Sequence, residues 1–215
     1  MAKGKRLLAV VIPFFLIITG LVFGLDALKF QSFQWAKLSD FDTEAIASLP
    51  PVWKQEAAAG NYRTLQIFLD LECPACREYI KDVLPHFVGN PQLAIEIFDM
   101  PLAIHPNAVT AGGYSRCLAK QSPERYIEFI TKVAEGGSLE PAYLEGILAE
   151  MNIDASSWEA CVQEEARNAI ATAMRTSEAG INVSPFTIIQ GKSLRGYIPA
   201  KFFLHLVKTA PFEDE

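Results

Sequence analysis

The sequence predicts an α/β fold in which a βαβ unit and a ββα unit are separated by a helical insert, behind one N-terminal transmembrane helix. Three observations carry this. Two short apolar, β-prone runs, Thr64–Leu69 and Leu93–Phe98, bracket a helical stretch. About eighty residues of helical character follow. A strand, a tight turn, a second strand and a helix then close the chain.

The first element is Leu7–Leu25, 19 residues without a charge. At the helical rise it spans roughly 28 Å, the thickness of bilayer hydrocarbon. Lys3, Lys5 and Arg6 precede it, which keeps the N-terminus cytoplasmic and exports the body. A cleaved signal peptide would have a shorter apolar core, and Val22-Phe23-Gly24 is a mediocre cleavage site. A buried core helix fits the basic flank poorly. An uncleaved anchor is the favoured reading, and anchor and signal give the same compartment. No other apolar run approaches this length, so the chain is expected to cross once, in the cell inner membrane, with its body periplasmic.

Composition limits the rest. Half of the 215 residues are hydrophobic, enough for a sizeable core, and the net charge is −6. Setting aside Lys3, Lys5, Arg6 and Asp26 leaves 16 basic against 24 acidic residues in the body. A nucleic-acid partner is disfavoured, because phosphate neutralisation needs clustered cations.

Residues 1–6 read as a cytoplasmic tail, 7–25 as the anchor, and 26–60 as a stalk and lead-in broken by Pro50-Pro51. No clear strand precedes Thr64. Residues 61–100 form the first half of the core. Its helix opens at Cys73-Pro74-Ala75-Cys76, with Pro74 at the first turn, and runs toward Phe87. Gly89-Asn90-Pro91 turns the chain into Leu93–Phe98. The insert, residues 101–180, reads as four helices. They are His105–Lys120, Pro123–Glu135 with Ser122 as N-cap, Pro141–Met151, and Ser156–Ala179 stopped by Gly180. Residues 181–210 supply strand Pro185–Ile189, the turn Gln190-Gly191-Lys192, strand Ser193–Tyr197 and helix Pro199–Lys208. Residues 211–215 are a tail.

The chemistry sits at Cys73 and Cys76. Two intervening residues let the sulfurs bond with little strain, so the bridge can form and reopen. A helix start directs free N–H groups and the positive end of its dipole at the first sulfur, which favours thiolate. Cys73 is then the exposed nucleophile and Cys76, one turn deeper, the resolving thiol. A zinc knuckle would need a second ligand pair, and Cys117, Cys161, His86, His105 and His205 form none. An inert structural disulfide is the other competing reading. No metal or cofactor is expected.

These residues resemble the DsbA-like branch of the thioredoxin superfamily. Phe68-Leu69-Asp70-Leu71-Glu72-Cys73-Pro74-Ala75-Cys76 is similar to its strand-then-CPxC signature, and the helical insert is its other hallmark. Val183-Ser184-Pro185-Phe186-Thr187 followed by Gly191-Lys192 resembles its cis-proline loop and hairpin. The resemblance covers roughly residues 62–210 and implies a thioredoxin-like fold. It also implies a cis Pro185 against the active pair, with Ser184 presenting backbone to substrate. Many oxidants of the family carry His where this chain has Ala75, which implies a less oxidising pair here. Some members link their insert helices by a second disulfide. Cys117 and Cys161 are the candidates, since an oxidising compartment favours pairing; two buried free cysteines are the alternative.

Around the motif, Glu72 reads as solvated, with a proton-accepting role as the sharper alternative. Asp70 reads equally as a buried carboxylate assisting Cys76 or as a capping or solvated group. His105 reads as a surface or capping residue, and Phe186, Tyr197 and Phe202 as core rather than groove.

Three functions compete. The favoured one is an oxidase donating disulfides to exported proteins and recharged by a quinone-linked membrane partner. The second is a reductase or isomerase kept reduced by a membrane thiol donor. The third is a tethered chaperone or binding module with incidental cysteines.

Overall fold

The computed structural model describes residues 38–58, 60 and 62–210. The expected anchor, residues 7–25, lies outside them, as do the tails 1–6 and 211–215. Among the described residues no helix is long and apolar enough to cross a membrane. The described chain from Ser39 onward clusters as one compact unit.

Six strands form one mixed sheet: β1 (Leu38–Asp40), β2 (Trp53–Gln55), β3 (Arg63–Leu69), β4 (Leu93–Asp99), β5 (Phe186–Ile189) and β6 (Lys192–Arg195). Their order is β1-β6-β5-β3-β4-β2. The parallel register pairs Phe68 with Phe98, and their rings stack at 4.7 Å. Phe186, opposite Phe68 in the antiparallel partner, meets the same ring edge-on at 6.1 Å. Register alone therefore assembles the aromatic centre of the core.

The lead-in departs from the sequence reading. Residues 38–57 are not a stalk but part of the domain. β1 and β2 occupy the two sheet edges, and Ile46 and Leu49 are buried in the core with Phe68 and Phe98. Three-residue strands give no alternation to read, so only the buried apolar anchors betray them.

The helix at the cysteines is also shorter than expected. α1 (Pro74–Glu78) passes into a π turn at Tyr79–Val83 and a 3₁₀ turn at Leu84–His86. Pro85 is the reason: it lacks an N–H and its ring clashes with the preceding turn, so regular α geometry stops. The π turn buries Tyr79, Ile80 and Val83 together.

The insert holds α2 (Ala108–Gln121), α3 (Tyr126–Glu135), α4 (Pro141–Glu150) and α5 (Glu159–Glu178), and α6 (Ala200–Thr209) closes the fold. α2 begins at Ala108 rather than His105 because a residue before proline, here His105 before Pro106, avoids helical geometry. Ser122 makes no side-chain cap; a 3₁₀ turn, Pro123–Arg125, opens that segment instead. α2 and α5 lie against each other where the chain has Gly112 and Gly113. A Cβ on Gly113 would stand 2.7 Å from the Val162 carbonyl oxygen. Cys117 and Cys161 join the same two helices, Sγ to Sγ at 2.10 Å. Beside them Arg116 is buried between Glu165 (3.0 Å) and Asp99 (3.6 Å). Burial raises Asp99 to about 7 against the opposing charge of Arg116.

Candidate active site

β3 ends at Leu69 and the chain turns through Asp70-Leu71-Glu72 into Cys73, the extended N-cap of α1. Pro74 occupies the first helical position, where its missing N–H leaves nothing unsatisfied. Cys73 is buried, at 8% exposure, and not the exposed sulfur the motif leads one to expect, because the Ser184 carbonyl lies against it; Cys76 is sealed at 0%, one turn further along the helix. Both are free thiols. Opposite them the Ser184–Pro185 peptide bond is cis, and Cys73 Sγ lies 3.5 Å from the Ser184 carbonyl oxygen.

The two sulfurs are electrostatically unequal. Cys73 is lowered to about 5, chiefly by the hydrogen bond from the Cys76 thiol. Burial opposes this, and N–H groups of Cys76 and Ala75 together with Ser184 add to it. Cys76 is pushed well up, first by burial and then by its neighbour's charge. The Asp70 N–H donates to Cys76 Sγ at 3.4 Å. An outer thiolate and an inner thiol are what attack and release at a disulfide require.

A family model described as Thioredoxin matches residues 56–209. The chain belongs to the thioredoxin family. No curated protein matches it. Among solved structures its fold is similar to the thiol-disulfide exchange protein alpha-DsbA2 from Wolbachia pipientis. That match has TM-score 0.65 and 15% identity, and covers 77% of this chain and 90% of that one. The catalytic domain of Proteus mirabilis ScsC matches at TM-score 0.63 and 17% identity, over 77% and 96%. A periplasmic thioredoxin-like protein from Salmonella enterica serovar Typhimurium matches at 0.62 and 18%, over 79% and 97%. The DsbA-like resemblance read from the sequence and the fold of these structures agree.

The thioredoxin-family frame also holds contacts that the sequence does not announce. Asp70, 1% exposed, is not solvated; its carboxylate caps the active-site turn. Its Oδ1 accepts the N–H groups of Glu72 (2.8 Å) and Cys73 (3.3 Å). Its Oδ2 accepts the Leu102 N–H (2.8 Å) and meets His105 Nδ1 at 2.7 Å. Glu72 is half-buried, and its carboxylate accepts the backbone N–H (2.6 Å) and side-chain amide (3.1 Å) of Asn107. His105, expected at the surface, is thus a partner of the active-site turn. Arg77 completes the bracing, donating to Leu71 O at 3.0 Å and to Gly136 O at 2.7 Å. Nothing short of the folded chain reveals the distant pairs, Asp70 with Leu102 and His105, Glu72 with Asn107 and Arg77 with Gly136, since each joins segments more than thirty residues apart.

The Ala75 side chain presents no polar group to the sulfurs; only its backbone N–H reaches Cys73. Phe186 is core, and the Tyr197 hydroxyl donates to Asp82 at 2.7 Å. Among the described residues no group of three or more His, Cys, Asp or Glu could hold a metal ion.

Proposed function

We propose that this protein is a membrane-anchored, extracytoplasmic thiol–disulfide oxidoreductase that donates disulfides to exported proteins through Cys73 and Cys76. The observation that carries the reading is the inequality of the two sulfurs, Cys73 at about 5 and Cys76 far above it. A stabilised thiolate stabilises the dithiol form, so the disulfide form is the more eager to accept electrons. That is the bias of a donor of disulfides.

In the proposed reaction a substrate thiolate attacks Cys73 Sγ of the Cys73–Cys76 disulfide. Cys76 leaves and takes a proton. The substrate's second thiolate then attacks the mixed disulfide, and Cys73 leaves as thiolate. The substrate has lost two electrons and the enzyme has gained them. The Ser184 carbonyl and cis Pro185, set against Cys73, form the edge on which substrate backbone would lie. His105, the partner of the active-site turn, lines a groove with Leu102, Asn182 and Met174, of which Met174 is 61% exposed, and Ile104, next to His105 in sequence, is 79% exposed. Such a surface suits incompletely folded chains.

The exported compartment rests on the basic-then-apolar N-terminus, and one structure of similar fold is described as periplasmic. The anchor would raise the effective concentration of a quinone-linked membrane oxidase that restores the disulfide.

The test is the reduction potential of the pair, equilibrated against glutathione, together with its redox state in the cell. A strongly oxidising potential and a disulfide at steady state support donation. A potential near that of thioredoxin, with the pair held reduced, refutes it. A Cys73→Ala variant with undiminished activity would refute the enzyme reading altogether.

A further inference from the structure

Ala75 leaves the position between the cysteines without a group that could hold charge. The fold supplies one from elsewhere. His105 stands in the loop between β4 and α2, kept out of the helix by Pro106. The loop is fastened to the active-site turn along its length. Met100 N–H donates to Leu69 O at 2.8 Å, Leu102 N–H to Asp70 at 2.8 Å, and Asn107 N–H to Glu72 at 2.6 Å. The imidazole is 17% exposed and its partner carboxylate, Asp70, wholly buried. The same carboxylate takes the Cys73 N–H on its other oxygen. One carboxyl group therefore joins the imidazole to the residue that carries the reactive sulfur.

The charges that act on this imidazole are acids, and Arg195 approaches the same groove through Asn182. Asp70, Glu72 and Cys73 lie in the turn between β3 and α1, and Glu178 of α5 lines the same groove. Burial works against the imidazolium, yet the Asp70 hydrogen bond and the charges of Asp70, Cys73 and Glu72 outweigh it and raise His105 above its ordinary value. One of those charges exists only in the dithiol form, because a sulfur in a disulfide carries none.

We propose that His105 is a positioning residue that takes up the proton released when the Cys73–Cys76 disulfide is reduced, and so helps hold Cys73 as thiolate. The proposal rests on the thiol–disulfide reading above. The balance is direct. A substrate dithiol gives up two electrons and two protons as its disulfide forms. The enzyme takes both electrons, Cys76 takes one proton, and Cys73 remains a thiolate. The second proton is shared between solvent and His105, whose share rises as the thiolate appears. The coupling is reciprocal: whatever the thiolate adds to the imidazole's proton affinity, the imidazolium subtracts from the thiol's.

The experiment follows the histidine side chains of the full chain, held in detergent, by nuclear magnetic resonance across pH in the dithiol and disulfide forms. His105→Gln identifies the signal. His105 is expected to titrate higher in the dithiol form by about half a unit, the size of a screened unit charge within several ångströms. The glutamine keeps a donor for Asp70 but no charge. In His105→Gln, the thiolate absorbance of Cys73 is expected to titrate higher by the same half unit, about a threefold change in proton affinity. Identical His105 titrations in both forms would overturn the proposal, because a histidine that merely braces Asp70 is blind to the sulfur's charge. So would an unmoved Cys73 in His105→Gln. A pair that never passes between dithiol and disulfide overturns the functional reading as well; one that cycles beside an indifferent His105 overturns this inference alone.

Discussion

Replacing Cys76 by alanine removes the largest contributor to the acidity of Cys73. With its titration at about 5 instead of the ordinary 9.0, Cys73 is about 99% thiolate at pH 7, where an unassisted thiol would be about 1%. A hydrogen bond to a charged acceptor contributes roughly 1.5–3 kcal/mol, or about one to two units of acidity. Cys76→Ala should therefore move Cys73 to about 6–7. Cys76→Ser keeps an O–H donor at the same place and should stay nearer the wild type. Thiolate absorbance against pH, checked by the pH profile of alkylation, reads both. If Cys73 in Cys76→Ala still titrates at about 5, the inner thiol is not the source of the asymmetry, and the N–H groups of Ala75 and residue 76 with Ser184 carry it unaided.

Other consequences can be measured alongside. In the dithiol form, Cys73 loses its proton at about 5 when folded but only near 8.5 when unfolded. Folding stability of that form should therefore rise with pH between those values and fall away as pH drops through about 5. Asp99, raised to about 7, acts oppositely below neutrality but in both redox forms. The difference between urea midpoints of dithiol and disulfide forms isolates the Cys73 effect, and a pH-independent difference would contradict it. Opening the Cys117–Cys161 bridge, 44 residues apart in sequence, by a double alanine substitution should cost about 4 kcal/mol on loop entropy, seen in denaturant midpoints. Gly113→Ala should cost about 1–3 kcal/mol, because its methyl meets the Val162 carbonyl. Gly146→Ala, in α4 with nothing within 4 Å, should instead stabilise by about 0.5–1 kcal/mol.

The elements easiest to see in the sequence are those with strong local rules. Thr64–Leu69 and Leu93–Phe98 are dense in apolar and β-prone residues, and each is a central strand within one residue of its expected bounds. Pro123, Pro141, Gly136 and Gly180 punctuate the insert, so its helices are legible to within a turn. β1 and β2 escape notice because three residues carry no period. Pro85 marks the break in the cysteine helix, but the apolar spacing of Tyr79, Ile80, Val83 and Leu84 reads as a continuous helix toward Phe87. Around the site, Cys73, Pro74 and Cys76 stand in one local motif and are found together. Asp70 with His105, and Glu72 with Asn107, are partners across 35 residues, where a linear pattern has no reach.

The bridge between α2 and α5 carries one more implication. The stretch it encloses, residues 118–160, contains α3, α4 and the loops on either side of them. A protease that cut within that stretch would nick the molecule without severing it: the two pieces would travel together until a reductant parted them. Cys117, at 0% exposure, is withheld from passing thiolates, so a molecule made to exchange sulfur bonds keeps one out of circulation as its own rivet.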